Sequence, residues 1–428
     1  MRRCVALVAL LVAVDCSRSG LVVGLGADGG AARDADASSP TRDDAFTPAV
    51  APGCPTRLVE AASFRFPLGA YTTSGRLVAA PNGGFVVALS IRPEAPRVGH
   101  RPYLYRFREP GEAPVITVLD APLPGEQVLT TALAAQGDTL WLGGTQARNQ
   151  RKVLVRIDRG ATPPFPSHVF SVPDSYSFWP LRPNDDGTVD VSYGYLHPRP
   201  PVVHRITLEG DTVAGPTPVL PGSPAPGENG WWVPEGDLVL EYRLRSDDDR
   251  QRILVRVMDV ETGPGEAREV LTVEREERVL HPGAFDVTPD GSLLLPVWDL
   301  PLSGVPFDAA DGVVYRLAPG ADAMEEHFRR PRSRRGTLVA QDDGCGSVVL
   351  FRTGTSERGH PTGADLILLD PAGRPIHVLR DALVAGDADP CLAFPQHLAW
   401  APGRLGMVWV DGCEPARRST HFRWYRLE

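Results

Sequence analysis

A short apolar strand, a tight polar turn and a second apolar strand recur seven times along this chain, and that period constrains the fold more than any single residue does. The turns centre on Asn82-Gly83-Gly84, Gln136-Gly137-Asp138, Asp185-Asp186-Gly187, Glu235-Gly236-Asp237, Pro289-Asp290-Gly291, Asp343-Gly344 and Pro402-Gly403. Glycine at these positions supplies the positive φ that two-residue hairpin loops require. Measured from Gly83 through Gly137, Asp186, Gly236, Gly291 and Gly344 to Gly403, the gaps are 54, 49, 50, 55, 53 and 59 residues. That is the spacing of four-stranded blades with long loops. The expected fold class is therefore all-β, a seven-bladed β-propeller of four-stranded antiparallel blades.

A second register repeats the first. About twenty residues after each turn comes a third strand, read as Tyr105-Arg106-Phe107, Val155-Arg156-Ile157, His204-Arg205-Ile206, Val255-Arg256-Val257, Tyr315-Arg316-Leu317, Ile367-Leu368-Leu369 and Tyr425-Arg426-Leu427. Six of the seven carry arginine at one position. Strand alternation turns that arginine away from its apolar neighbours, which points to a structural ladder or inter-blade partner rather than to catalysis. Fourth strands are expected at 115–119, 168–172, 217–220, 269–273, 326–328 and 376–379, whereas the seventh repeat stops at Glu428 straight after its third strand. The apolar segment 58–66 precedes the first repeat and belongs to none. Added to the last blade it closes the ring and removes two exposed edges.

The 43 prolines and 43 glycines fit a turn-rich β chain, because proline is excluded from helix interiors and central strands. The net charge of -9 is spread along the chain, and Lys152 is the only lysine. No concentrated basic surface of the kind nucleic acids demand is present in the pattern, so no nucleic-acid partner is expected. Arg2 and Arg3 precede an apolar run from Val5 to Val14, which has the layout of a secretory signal and is too short to span a bilayer. Residues 1–16 are thus expected to be a signal peptide, 17–52 a flexible linker of small, polar and acidic residues, and 53–428 the propeller domain. The Ala13-Val14-Asp15-Cys16 segment resembles a bacterial lipobox, which implies lipidation at Cys16. Asp15 and Ala13 depart from that pattern and leave cleavage further on open.

From Cys54 to Glu428 the repeats resemble bacterial extracytoplasmic β-propeller proteins, and Thr288-Pro289-Asp290-Gly291-Ser292-Leu293 is similar to the strand-turn-strand of TolB-type and WD-repeat blades. There are no Gly-His with Trp-Asp pairs, no kelch double glycine and no sialidase-type Asp-box. The resemblance therefore implies an architecture and carries no active site with it.

Four cysteines follow the signal, an even number that in an exported chain implies two disulfides. Cys391 and Cys413 flank one hairpin and fall at its open end. Cys345 sits in a first-to-second-strand turn, on the opposite face, where the closing strand must also begin after Cys54. The expected pairs are Cys391 with Cys413 and Cys54 with Cys345, since other pairings would have to span a strand's length, beyond a limit of about 7 Å between Cα atoms. No cysteine or histidine spacing of the zinc type occurs, and neither a metal nor a cofactor is expected.

In this topology the connectors from second to third strand share a face with the loops entering the innermost strands, and here they are long, 92–101 and 299–312 among them. Binding residues favour loops over a rigid scaffold. The entering segments bring Tyr176, Phe178, Trp179, Trp231, Trp232, His281, Arg334, Arg335, Gln396 and His397 toward the mouth of the central channel. Aromatics beside arginine and histidine suit a protein, peptide or carbohydrate partner at that face, with blade packing as the plain reading of the two tryptophans. The acidic run Asp247-Asp248-Asp249 lacks the spaced ligands of a calcium loop, and the basic run from Arg329 to Arg335 reads as an exposed charged connector. No nucleophile or acid-base constellation can be assembled. The expectation is a monomeric, exported, envelope-associated and noncatalytic binding scaffold. The competing readings are a hydrolase with channel carboxylates such as Asp286 or Asp299, and a structural envelope protein without a small ligand.

Overall fold

Short apolar runs separated by glycine and proline pair most readily with the next strand in sequence, and each hairpin then leaves an apolar face that needs a neighbour. The computed structural model describes residues 53–428 outside 67–75, 81–82, 92–100, 120–127, 147–150, 159–160, 162–166, 171–174, 196–200, 208, 210, 222–227, 245–248, 275–277, 302–309, 342, 355–360, 385–391 and 413–418. The strands form seven antiparallel sheets of four main strands each, arranged as a seven-bladed propeller. Blade 1 runs outward through Arg76–Ala79, Phe85–Ile91, Arg101–Phe107 and Val115–Val118. The innermost strands of blades 2 to 4 are Val128–Gln136, Ser175–Pro183 and Glu228–Val233. In blade 5 the inner strand is split into Arg278–Pro282 and Asp286–Val287, and blades 6 and 7 begin with Arg334–Ala340 and Leu392–Ala401.

Blade 7 is completed as the unused apolar segment requires. Leu58–Arg65 pairs antiparallel with Ser419–Leu427, Leu58 opposite Leu427 and Phe64 opposite Phe422. The backbone amides of Thr56 and Arg57 both donate to the Glu428 carbonyl, and the Glu428 amide returns a bond to Arg57 at 2.9 Å. Cys54, just ahead of this strand, is bonded to Cys345 in the first turn of blade 6, with Cα atoms 5.4 Å apart. The other expected pair, Cys391 with Cys413, lies outside the described residues, as do Cys16 and the whole of 1–52. A Cys345→Ser variant is expected to lose about 2–4 kcal/mol, read as an earlier urea midpoint. An unchanged midpoint would mean that strand pairing alone fixes the chain ends.

Apolar clusters fill every seam between neighbouring blades, so the core is a ring of seven interfaces. The seam that joins blade 7 to blade 1 is the most aromatic. Phe107 stacks on Phe422 at 4.2 Å, and Phe66 and Trp424 meet Tyr105 and Phe85 edge to face at 4.8 and 5.0 Å. Such pairs add roughly 0.5–1.5 kcal/mol each beyond their buried area.

Three expectations need correction. The blade 3 outer strand is Thr212–Pro218 rather than 217–220, because the strand is largely exposed while the buried Val219 and Leu220 that attract a hydrophobic reading lie just beyond it. In blade 4 the positive φ falls on Asp237 at 46° and not on Gly236; Pro234 opens a short 3-10 turn that aspartate ends in the left-handed region. The basic run is no loose connector. It straddles the blade 5 outer strand Glu325–Arg330 and the blade 6 inner strand, where Arg329 pairs with Asp299, Asp311 and Glu326, and Arg330 reaches Asp365 across the seam at 2.6 Å.

Candidate functional site

Alternation decides what the channel wall is made of. Along the inner strand of blade 2, Ala132 and Ala134 pack into the seam with blade 3, while Leu133 and Ala135 pack toward blade 1. With side chains sent to both flanks, the strand turns its backbone edge to the axis. Because so many of these side chains are alanine, that edge is not screened. Residues 131–136, together with 76–79 of blade 1 and 180–183 of blade 3, line a cavity of about 610 Å³, and Pro234 and Ala399 complete its rim. These residues are the later ones of their inner strands, so the cavity occupies the half of the channel toward the tight first-to-second turns. On the other side of the ring the inner strands of blades 5 and 6 come together directly. Ala284 of blade 5 bridges Thr337 of blade 6 in parallel, and a Cβ on Gly283 would come within 2.2 Å of the Gly336 carbonyl oxygen.

Two arginines reach the lining. Arg76 donates from Nε to the Thr131 carbonyl at 2.7 Å, which fixes its guanidinium at the inner end of the cavity. Arg182 is held on the other flank by an ion-pair chain. Its Nη2 lies 2.7 Å from Asp190, its Nη1 contacts Asp237 and the Pro234 carbonyl, and its guanidinium stacks over Trp232 at 5.2 Å. Asp190 is wholly buried and also takes Arg205 at 2.8 Å, which in turn faces Glu261 at 3.6 Å. The repeated third-strand arginine thus acts as a ladder. Arg205 and Arg256 bind buried Asp190 and Glu241 of the adjacent second strands, Arg316 reaches Asp290 in the preceding turn, and Arg156 pairs with Asp158 while lying over Trp141.

The inner-strand residues singled out in the sequence are distributed around the ring. Trp232 is 3% exposed in the seam between blades 3 and 4, and Trp231 is half-buried toward blade 5. His281, half-buried in blade 5, lies 5.3 Å from the Trp298 ring, and Arg334 opens the blade 6 inner strand. His397 sits on the blade 7 inner strand, where burial first and the charge of Arg76 second hold its imidazole well below the usual range and therefore neutral. Tyr176, Phe178, Trp179, Arg335 and Gln396 belong to strands, but their side chains lie outside the described set, as do most of the long connectors of the second-to-third-strand face. Of the acidic run only Asp249, exposed, is described. The carboxylates considered for hydrolysis are otherwise engaged. Asp299 is buried between Arg278 at 3.3 Å and Arg329 at 3.1 Å, and Asp286 accepts the Ala340 amide of blade 6 at 2.8 Å. Among the described residues no three histidine, cysteine or acidic side chains are grouped to hold a metal ion.

Sequence reading missed the cavity itself. Its one visible signal is the alanine run 132, 134 and 135, where the corresponding strands of blades 4 and 7 carry Trp231, Trp232 and Trp400. It also left the sole lysine unplaced. Lys152 is fully buried, donates to Thr145 at 3.3 Å, and burial lowers its ammonium from 10.5 to about 8. Through that window the unfolded chain holds a proton the folded lysine has released, so stability rises with pH there and carries a constant deficit below it. Lys152→Met is expected to be more stable than the parent by roughly 1–3 kcal/mol near pH 7, with the difference shrinking toward pH 10. Denaturation midpoints of both proteins across that range check this, and a pH-independent difference would remove the ammonium as its cause.

No family model and no curated protein sequence matches the chain. Among solved structures it is similar to a protein of unknown function from Dyadobacter fermentans, with 12% identity over 87% of this chain and 99% of the other and a TM-score of 0.43. An oligogalacturonate lyase from Vibrio parahaemolyticus is 11% identical over 86% and 97%, with a TM-score of 0.49. Kuenenia stuttgartiensis hydrazine synthase is likewise 11% identical, over 83% and 96%, at 0.49. At these identities no site or activity passes from them to this chain.

Proposed function

We propose that this chain is exported and serves at the cell envelope as a noncatalytic binding scaffold whose ligand sits in the central channel. The observation that carries the reading is the composition of the cavity wall. Its described lining holds aliphatic side chains, prolines, strand edges, two arginines, Thr131 and Gln136, and no carboxylate, histidine, serine or cysteine to serve as a base beside them. A wall of that kind orients and desolvates a ligand but offers no nucleophile-base pair to transform it. The buried carboxylates Asp190, Glu241, Asp299 and Asp365 each face arginine, which suits them to holding blades together. Export is supported by the signal-like N terminus and by the Cys54–Cys345 bond, since disulfides persist in oxidising compartments. Anchoring through Cys16 is part of the same proposal.

Native mass spectrometry of the full chain purified from an exporting bacterial host tests both halves. The expected result is a small noncovalent adduct lost on unfolding, together with an N-terminal peptide whose mass reports processing near Cys16. Conversion of the released adduct into a new species by fresh protein would overturn the noncatalytic reading. Protein that carries nothing, and takes up nothing from an extract of the host envelope, would overturn the binding reading.

A further inference from the structure

Each end of the closing strand meets a histidine. At its start, the Leu58 amide donates to His377 Nδ1 at 3.3 Å, across the seam between blade 7 and the blade 6 outer strand Pro375–Val384. A ring nitrogen accepts such a hydrogen only while it carries no proton of its own. At its end, Arg65 stands opposite His421 in the strand register. The His421 ring stacks on Trp409 at 5.0 Å with 15° between the planes, and its Nε2 lies 2.8 Å from Ser419 Oγ.

Both histidines sit beside arginines of the strand they hold. Burial first and the charge of Arg57 second lower the His377 imidazole from its ordinary range. Of the charges next to it in sequence and register, Arg374 pairs with Asp370 at 2.7 Å and Arg426 with Glu428 at 3.5 Å. For His421 burial is again the largest cause of a lowered value; Asp411 of the second strand opposes it, while Arg65 of the closing strand and Arg423 of its own strand reinforce it. Arg423 also faces Glu60 of the closing strand at 3.4 Å and donates to the Ala382 carbonyl of blade 6. A proton on His377 therefore removes the acceptor of the Leu58 amide and adds a cation beside Arg57. A proton on His421 adds one beside Arg65 and Arg423.

We propose that the closing strand is an acid-released clasp: protonation of His377 and His421 detaches Leu58–Arg65 from Ser419–Leu427 while the other six blades stay paired, and opens the edge of blade 7. Both imidazoles take up protons more readily with the strand detached than with it seated. The seated state is therefore at full strength above the ordinary histidine value of 6.5 and weakens as pH falls below it. The bond from Cys54 to Cys345 keeps the start of the strand at blade 6 when its pairing is lost, so reclosure is local.

Hydrogen exchange of the full chain with its disulfide intact, read by mass spectrometry of peptic fragments at about pH 7.5 and about pH 5.5 and corrected for the intrinsic rate, tests the clasp. Protection of 58–65 and 419–427 is expected to fall roughly tenfold or more between the two conditions, whereas Ser347–Thr353 and Gly363–Leu369 of blade 6 keep theirs. A double variant, His377→Asn with His421→Phe, keeps an amide oxygen for Leu58 and a ring on Trp409 and titrates at neither site, so its closing strand is expected to stay protected throughout. A parent equally protected in both conditions, a fall shared equally by all blades, or a fall of the same size in the double variant would each overturn the proposal. Should the double variant fail to fold, His377→Asn alone decides: it is expected to lose less protection than the parent, and an equal loss overturns the clasp.

Discussion

A chain that starts at Pro67 is expected to aggregate or to exchange strands between copies where the parent does not. Without Leu58–Arg65 the third strand of blade 7 becomes an open edge, and its side chains Phe422, Trp424 and Tyr425, now at 2%, 1% and 0% exposure, lose their cover. Leu58 and Phe66 alone contribute roughly 1.5–3 kcal/mol each through burial, and the aromatic seam to blade 1 loses Phe64 and Phe66 as partners. Against a total stability of about 5–15 kcal/mol, that loss leaves little margin. A bare apolar edge also templates pairing between chains. Light scattering after gel filtration should find species larger than the parent's, and a synthetic peptide covering 54–66 supplied during refolding should restore the parent's mass. A truncated chain that keeps the parent's association state and unfolds at the parent's temperature would show that the ring does not depend on its closing strand.

The same closing strand explains why so much of the fold could be read without coordinates. Blade turns demand glycine or its equivalents at fixed spacing, the third strands carry one arginine in register, and a repeat that lacks its fourth strand must borrow one. Each of these is a local constraint written in residue type. The errors arise where local signals compete. Val219 and Leu220 are buried after the blade 3 outer strand has ended, so hydrophobicity pointed past the strand. Pro234 converts the blade 4 hairpin into a 3-10 turn and moves the left-handed residue from Gly236 to Asp237. The charged run at 329–335 looks solvated because its partners Asp299, Asp311 and Asp365 are distant in sequence. The cavity was hidden for a different reason. It is made by what the inner strand of blade 2 lacks, and small side chains leave no mark in a pattern built from large ones.

Replacing Asp190 with alanine is expected to cost about 3–5 kcal/mol, the largest effect of any single polar substitution in the ladder. The carboxylate is 0% exposed and accepts from two guanidinium groups, Arg182 through Nε at 3.1 Å and Nη2 at 2.7 Å, and Arg205 through Nε at 2.8 Å and Nη2 at 3.1 Å. Its removal leaves two cations facing each other inside one blade with no anion between them. Asp237 and Glu261, 56% and 68% exposed at the side chain, can answer only part of that charge. The comparison that isolates burial is Arg156→Ala in blade 2. Arg156 holds the ladder position of Arg205, but its partner Asp158 lies only two residues further along the chain, the two side chains are 38% and 46% exposed, and water already screens them, so a change below about 1 kcal/mol is expected. Urea unfolding of both variants beside the parent decides the matter. Because Arg182 also lines the cavity, the two effects connect: the ion pair that holds blade 3 is what keeps that wall of the channel in place. An Asp190→Ala protein within about 1 kcal/mol of the parent would mean that stacking on Trp232 and the Pro234 carbonyl suffice to hold Arg182, and the ladder would lose its claim to be structural.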